Sequence, residues 1–307
     1  MPKTASAPID ISVVIASYNA RNTVAKAIDS VLLQAGVSVE VIVVDDGSTD
    51  GSGTWLLANY GEQIRYHYQA NAGVSRARNQ GLAIARGESV LFLDADDWLL
   101  PGALSPLHRR LRSLPEQVVA CYGRLLWVAG PEAPRQWVSA REMPSGYVTK
   151  ALLNDNFIVN GGCMLIRRAA IARCGGFCHF LRLGEDWEFW FRLSLQGQLL
   201  SMPQLVVSAY RIHQGANLSL RRMAPQLRHL HIHRVYQHPW VAANCGRLER
   251  VLRRRYAKSI VFWEDARQSL KQRGYLRFGW LVVAGLCRYP ESMIQVKRAY
   301  RLLKQAI

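Results

Sequence analysis

Apolar residues along the first hundred positions repeatedly switch between the period of a strand and that of a helix. Residues 11–15 (Ile-Ser-Val-Val-Ile) are a short β-branched run, which predicts a strand ended by Ala16-Ser17-Tyr18-Asn19. From 22 to about 34 the period is helical, with Val24, Ala27, Ile28, Val31 and Leu32 on one stripe. Residues 39–44 read as a second, fully buried strand that stops at Asp45-Asp46-Gly47-Ser48. A helix over 54–60 and a short strand over 64–68 follow. Asn71-Ala72-Gly73-Val74-Ser75 opens a third helix through about 85, with Arg86-Gly87 as its C-cap. Residues 89–93 are another strand, and it runs straight into Asp94.

Strand–helix alternation with short turns predicts an α/β fold whose sheet is parallel at least in part and doubly wound. Such sheets bind ligands beyond the carboxyl ends of their strands. The polar clusters at 16–19, 45–48 and 94–97 each follow a strand end, so together they predict one ligand-binding rim. After Pro101 a helix is expected to about 113, then a strand over 118–128 and a loop with Pro131, Pro134 and Pro144. Residues 151–220 read as more irregular, with a strand at 205–209. From about 221 the chain is helical and basic.

With 307 residues, half of them hydrophobic, the chain is long enough for one large domain with an appendage. Charge changes this picture. Residues 221–307 hold 19 Lys/Arg against 4 Asp/Glu, a net of +15, whereas the whole chain carries +17. The last third therefore faces something anionic, or forms a solvated basic helical face. Cys121, Cys163, Cys174, Cys178, Cys245 and Cys287 include no CxxC pair and read as reduced core thiols of a cytosolic protein. No secretory signal is visible, and no apolar run reaches the ~20 residues that span a bilayer.

Three acidic segments carry candidate chemistry. Leu93-Asp94-Ala95-Asp96-Asp97 packs three carboxylates into one turn, which suits a hard divalent ion such as Mn2+ or Mg2+ bridging a diphosphate. The same turn reads equally as an N-cap for the helix beyond Pro101. Asp45 and Asp46 can accept an imide N–H or a ribose hydroxyl, or simply shape an Asp/Gly turn. Leu183-Gly184-Glu185-Asp186-Trp187 opens an aromatic-rich helix where acidic residues are favourable in any case. There one carboxylate is a candidate general base, and only one, because Glu185 and Asp186 point to different faces. Arg78 is placed to meet a carboxylate or phosphate. Arg211 and His213 follow the strand at 205–209 as candidate diphosphate or metal contacts. GxGxxG, P-loop and GxSxG signatures are absent.

Taken together, Ser12-Val-Val-Ile-Ala-Ser-Tyr-Asn19, Val41-Ile-Val-Val-Asp-Asp-Gly-Ser-Thr-Asp-Gly-Ser52, Asn71-Ala-Gly-Val-Ser-Arg-Ala-Arg-Asn79 and Gly87-Glu-Ser-Val-Leu-Phe-Leu-Asp-Ala-Asp-Asp97 resemble family 2 glycosyltransferases of the GT-A fold. The resemblance covers about residues 9–220 and is densest before 105. It implies a mixed, mainly parallel central sheet flanked by helices, in a catalytic domain over 1–220. Residues 1–105 would be the nucleotide-binding half and 106–220 the acceptor side, with a basic helical extension over 221–307. Ala16 and Tyr18 would line the nucleobase pocket, Asp46 would bind uracil, and Asp45 would hold Arg78 or ribose. Asp94 would contact ribose or a metal-bound water, and Asp96 would ligate the metal, with His213 a further metal candidate. Asp186 would be the catalytic base, and Glu185, Trp187 and Arg211 would meet acceptor or diphosphate. Ala16 departs from the Thr or nearby Pro that the family often carries.

The implied activity is inverting transfer of a hexosyl or hexosaminyl group from a nucleotide-diphosphate sugar, such as a UDP-sugar. The acceptor would be a saccharide or lipid-linked saccharide in surface polysaccharide or lipopolysaccharide synthesis. A polyprenyl-phosphate sugar synthase is the alternative, although a phosphate acceptor needs no base such as Asp186. A basic nucleic-acid-binding protein is the remote alternative, supported by charge alone. Trp263, Tyr275, Phe278, Trp280 and Tyr289 lie among the arginines of the extension, which suits peripheral docking on the anionic inner face of the cell membrane. The sequence leaves the oligomeric state open.

Overall fold

The computed structural model describes residues 8–130, 135–212, 227 and 229–271. His213, Tyr275, Phe278, Trp280, Cys287 and Tyr289 lie outside that set. The chain divides into two compact units: residues 1–152 with 156–216, and residues 153–155 with 217–307.

In the first unit the strands are β1 (Ile11–Ser17), β2 (Val39–Asp45), β3 (Arg65–Tyr68), β4 (Ser89–Asp94), β5 (Trp98–Leu99), β6 (Val118–Ala129), β7 (Arg135–Val138), β8 (Met164–Arg167) and β9 (Gln198–Ile212). They form one sheet in the order β3-β2-β1-β4-β8-β6-β9-β5, with β7 hydrogen-bonded to β6. The half from β3 to β4 is parallel. β8 then runs antiparallel to both β4 and β6, and β9 parallel to β6. The sheet is mixed, as the resemblance implies. Strands β1, β2 and β4 are near-continuous Val/Ile/Leu runs, as strands buried on both faces are, and the buried polar pair that interrupts them, Ser12 and Glu40, is hydrogen-bonded at 2.6 Å.

Helix α1 (Val24–Leu32) buries Val24, Ala27, Ile28 and Val31 against the sheet. Leu32, expected on the same stripe, is exposed. Helix α2 (Ser52–Tyr60) follows β2. Helix α3 (Val74–Ile84) lies so close to β1 and β2 that a Cβ on Gly81 would sit 2.3 Å from a Val14 methyl. It starts three residues later than expected, and Arg86-Gly87 is not its C-cap. Instead Gly87 passes against β1, where a Cβ would meet the Ser12 nitrogen at 2.5 Å. In α4 (Leu104–Arg112) the first amide donates to Gln34 Oε1 at 3.1 Å. The acidic turn at 94–97 therefore does not cap this helix.

Residues 151–212 are more regular than their sequence suggested. They hold α5 (Thr149–Leu152), a 3-10 turn at Gly161–Cys163, β8, α6 (Arg168–Cys174), α7 (Glu185–Ser194) and the fifteen-residue β9. In the second unit, α8 (Leu230–Gln237), α9 (Pro239–Asn244) and α10 (Arg247–Lys271) pack on one another. The five described cysteines are free, and Cys121, Cys163 and Cys245 are buried. No helix among the described residues is long and apolar enough to cross a membrane.

Candidate active site

Register places the chemistry. Ala16 pairs with Val44 on one side and Asp94 on the other, and Ser17 pairs with Asp45, so three strand ends finish at one level. Beyond them opens a cleft of about 570 Å³ lined by Ala16, Tyr18, Thr23, Arg78, Asp94 and Asp96, among others. Tyr18 is 53% exposed there, an aromatic face available for stacking. The loop behind it is fixed by Asn19, which sits at φ +48°. Its backbone N–H donates to Ser48 Oγ at 2.9 Å, and its side-chain oxygen accepts from the Thr49 N–H at 2.8 Å.

Asp45 and Asp46 lie behind this wall, both buried. Asp45 accepts from the Ser48 N–H and from the Tyr66 hydroxyl, each at 2.8 Å. The expected Asp45–Arg78 pair does not form: Tyr66 on β3 binds Asp45, and Arg78 turns to Asp94 and Glu185. Asp46 accepts from the Ala72 and Gly73 N–H groups, both at 2.8 Å, and from Gln69 at 2.7 Å. It thereby pins the loop that launches α3. A carboxylate offers about four acceptor positions, so three bonds leave room for one more donor, such as an imide N–H.

Arg78 is the hub. Its side chain is largely buried and donates to Asp94 at 2.7 Å and to Glu185 at 3.4 Å. Its guanidinium lies 5.1 Å from the Phe177 ring. Those two carboxylates hold its proton more tightly than in water. Arg78 thus ties the acidic turn after β4 to the N-terminus of α7, although the two are about ninety residues apart in sequence. Asp186, next to Glu185, accepts from the Trp187 N–H at 2.6 Å and, over a long 3.4 Å, from Asn156 Nδ2. Burial foremost, and then the neighbouring Glu185 charge, push its carboxyl up to about 7. The Trp187 N–H and the Arg78 cation only partly oppose this. A carboxylate with that affinity for a proton is matched to taking one from a hydroxyl near neutral pH.

The turn itself divides its carboxylates into two groups. Asp94 and Asp96 face the cleft. Asp97 is buried and accepts from Asn160 Nδ2 at 2.6 Å and from the Arg211 N–H at 2.8 Å. Burial and the Asp94 charge push its carboxyl up to about 9. Arg211 also donates from Nε to the Asp96 carbonyl at 3.2 Å, and it shares the Trp98 ring with Lys26. No group of three or more His, Cys, Asp or Glu side chains able to hold a metal occurs among the described residues. One or two carboxylates suffice for Mg2+ or Mn2+ when a diphosphate completes the shell, so Asp94 and Asp96 fit that kind of site.

A model of glycosyl transferase family 2 matches residues 12–175, just over half of the sequence. The chain belongs to this family. Its relatives include glycosyltransferase GlyA of Streptococcus pneumoniae, 38% identical over 104 residues that cover 33% of this chain and 15% of that protein. Succinoglycan biosynthesis protein ExoO of Rhizobium meliloti is 37% identical over 110 residues, covering 36% of this chain and 32% of that protein. The matches thus span under a third of either relative's length. Among solved structures, S. aureus TarS 1–349 in complex with UDP-GlcNAc aligns with a TM-score of 0.62 and 17% identity, covering 96% of this chain and 92% of that one. That likeness establishes the GT-A glycosyltransferase fold.

Within this family 2 frame, one expected site residue lies elsewhere. Trp187 is buried and donates its indole N–H to the Leu152 carbonyl at 2.6 Å. Its ring packs α7 on the core. Sequence reasoning also missed Asn156 and Asn160, which contact Asp186 and Asp97. Their only signal was a polar, turn-forming stretch, Asn154-Asp155-Asn156 and Asn160-Gly161-Gly162, on either side of Phe157-Ile158-Val159.

Proposed function

We propose that this glycosyltransferase moves a sugar, with inversion, from a nucleotide-diphosphate sugar to a saccharide or lipid-linked saccharide acceptor in surface polysaccharide or lipopolysaccharide synthesis. The donor is a UDP-sugar, in keeping with the UDP-GlcNAc held by TarS. The observation that carries the reading is the Arg78 bridge, which ties the N-terminus of α7, with the raised carboxyl of Asp186, to the cleft-lining Asp94. In this reading Tyr18 stacks on the base, Ala16 leaves room for it, and Asp46 accepts the imide proton. Asp45, through Tyr66, keeps the rim in shape, while Asp94 reaches the ribose. Asp186 takes the proton of the acceptor hydroxyl as its oxygen attacks the anomeric carbon. The bond to the diphosphate breaks on the opposite face, a single displacement without a glycosyl-enzyme intermediate. A Mn2+ or Mg2+ ion held by Asp96, and by Asp94 directly or through water, would supply positive charge to the leaving diphosphate. Glu185, through Arg78, and Arg211, through the Asp96 carbonyl, each join a residue that lines the cleft, and in this reading they meet acceptor or diphosphate.

A screen of UDP-, GDP- and dTDP-sugars, with and without Mn2+, tests this reading by calorimetry and nucleotide release. UDP-sugar binding strengthened by the metal, and lost in metal dependence in Asp96→Ala, is expected. Binding of none of the three classes would sink the proposal.

The second unit supports peripheral attachment to an anionic membrane. On α10, Leu248, Val251, Leu252 and Tyr256 form an exposed stripe at helical spacing, with Leu248 71% exposed and Arg255 beside them. An apolar face edged by arginines suits a headgroup boundary. Flotation with anionic vesicles should recover the wild-type chain and lose Leu248→Glu/Leu252→Glu. Equal recovery of both would exclude α10 as the contact.

A further inference from the structure

On the acceptor side of the sheet, three aromatic residues stand in one cross-strand row. In register, Trp127 on β6 faces Trp137 on β7 and Tyr210 on β9. The Trp127 and Trp137 rings are nearly parallel, 6° apart with centroids at 6.2 Å. Tyr210 meets Trp127 edge-on at 5.0 Å. A tryptophan whose work is packing buries its ring, yet Trp137 is 47% exposed on a strand whose four residues are all exposed. The row begins in solvent and ends at the reaction centre. Tyr210 immediately precedes Arg211, whose N–H is bound to Asp97 and whose guanidinium is bound to the Asp96 carbonyl. Burial, and the surrounding charges of Asp97, Asp94, Asp96 and Asp186, push the Tyr210 hydroxyl up to about 12, which agrees with its place beside the carboxylates.

We propose that Trp137, Trp127 and Tyr210 form the stacking platform of the acceptor, and that its occupant is an oligosaccharide at least two sugars long. This rests on the transfer reaction proposed above and names where the acceptor lies. A pyranose ring presents a patch of C–H groups on one face and hydroxyls around its edge. A flat aromatic pair matches the face, and polar neighbours match the rim. Arg135, exposed two residues before Trp137 and on the same face of the strand, supplies such a rim. A polyprenyl chain would instead need a continuous apolar groove, which this polar-flanked strand does not offer. With inner sugars on the tryptophans, the terminal sugar reaches Tyr210 and presents its hydroxyl toward Asp186.

The test uses the full chain, with an array of neutral and acidic oligosaccharides as the saccharide probe and UDP with Mn2+ as the nucleotide probe. Wild type should retain a subset of the oligosaccharides. Trp137→Ala should weaken them about tenfold or more, as loss of a stacked ring does. Trp137→Phe should keep most of the binding, and UDP affinity should be the same in all three proteins. That constant affinity also reports that the variants are folded. Unchanged saccharide binding in Trp137→Ala overturns the platform, as does a wild type that binds UDP but no oligosaccharide. Saccharide binding that depends on Trp137 in a protein blind to UDP supports the platform and removes the nucleotide-sugar reading instead.

Discussion

If Asp186 is the base, the reaction must carry its titration. An ordinary aspartate stays ionised down to about 4, so a base of that kind would leave the rate flat across the neutral range. Here burial and the Glu185 charge raise Asp186 to about 7. The active form is the ionised one, so activity is present above about 7 and is lost as the pH falls through it. Each unit below the midpoint removes a factor of ten in the ionised fraction. The value of kcat/KM should thus fall to about one-tenth of its plateau at pH 6 and about one-hundredth at pH 5. Arg78 holds this group down, so Arg78→Met should move the midpoint to higher pH. Asp94 adds a smaller upward push, behind burial and the Glu185 charge. The assay is initial-rate nucleoside-diphosphate release between pH 5 and 9, with the acceptor well below its KM. Asp186→Asn should lower the plateau by about 10²–10⁴-fold and abolish the acid limb, while nucleotide affinity is unchanged. A wild-type profile that is flat from pH 5 to 8, or an Asp186→Asn enzyme that keeps the limb, refutes the assignment.

Three further outcomes follow from the geometry. Asp97→Ala strands two buried donors, Asn160 Nδ2 and the Arg211 N–H, and should cost about 1–3 kcal/mol for each, read as a lower urea midpoint. Gly87→Ala drives a methyl against the β1 backbone, which cannot give way as a side chain would. A loss of about 1–3 kcal/mol in the same assay is expected, and a neutral result would mean the α3–β4 loop sits further from β1. Tyr18→Ala removes the exposed ring at the cleft mouth and should weaken UDP about tenfold with little change in folding stability, measured by calorimetry beside a thermal melt.

The half of the fold that ends at Asp94 is plain in the sequence because β1, β2 and β4 are buried on both faces and are therefore almost wholly apolar. The half beyond Asp94 is harder to read for equally physical reasons. Strand β9 carries Pro203 in its middle, and the register against β6 slips around Arg124, whose Nε donates to the Pro203 carbonyl at 2.8 Å. Pairing therefore comes in two pieces, and only the Val-rich second piece looks like a strand. Trp187 is a different case. Trp187, Trp190, Phe191 and Ser194 follow the helical period and are all buried, so the sequence already held the sign that this ring faces the core. Its position next to Glu185-Asp186 drew attention to chemistry instead. The partners of Asp45 and Arg78 were beyond any local pattern, because Tyr66 and Glu185 reach them only through the sheet order and the packing of α7.

Charge balance ties these pieces together. Among the described residues named at the rim, Asp94, Asp96, Glu185 and Asp186 are acidic, while the one cation lining the cleft, Arg78, already serves Asp94 and Glu185. A nucleoside diphosphate entering that space brings further negative charge. Arg211 and Lys26 stand around Trp98, next to the turn, and the burial of Lys26 together with the Arg211 charge lowers its own affinity for a proton. Two like charges sharing one ring offset little of an anion's cost unless that anion lies between them and the turn. In the proposed reaction, a divalent ion on Asp96 would supply that missing charge beside the diphosphate and would relieve the repulsion among the carboxylates. On that proposal the acidity of the turn is a half-site for a cation that would arrive with its substrate, while burial and the Glu185 charge set the proton affinity of Asp186.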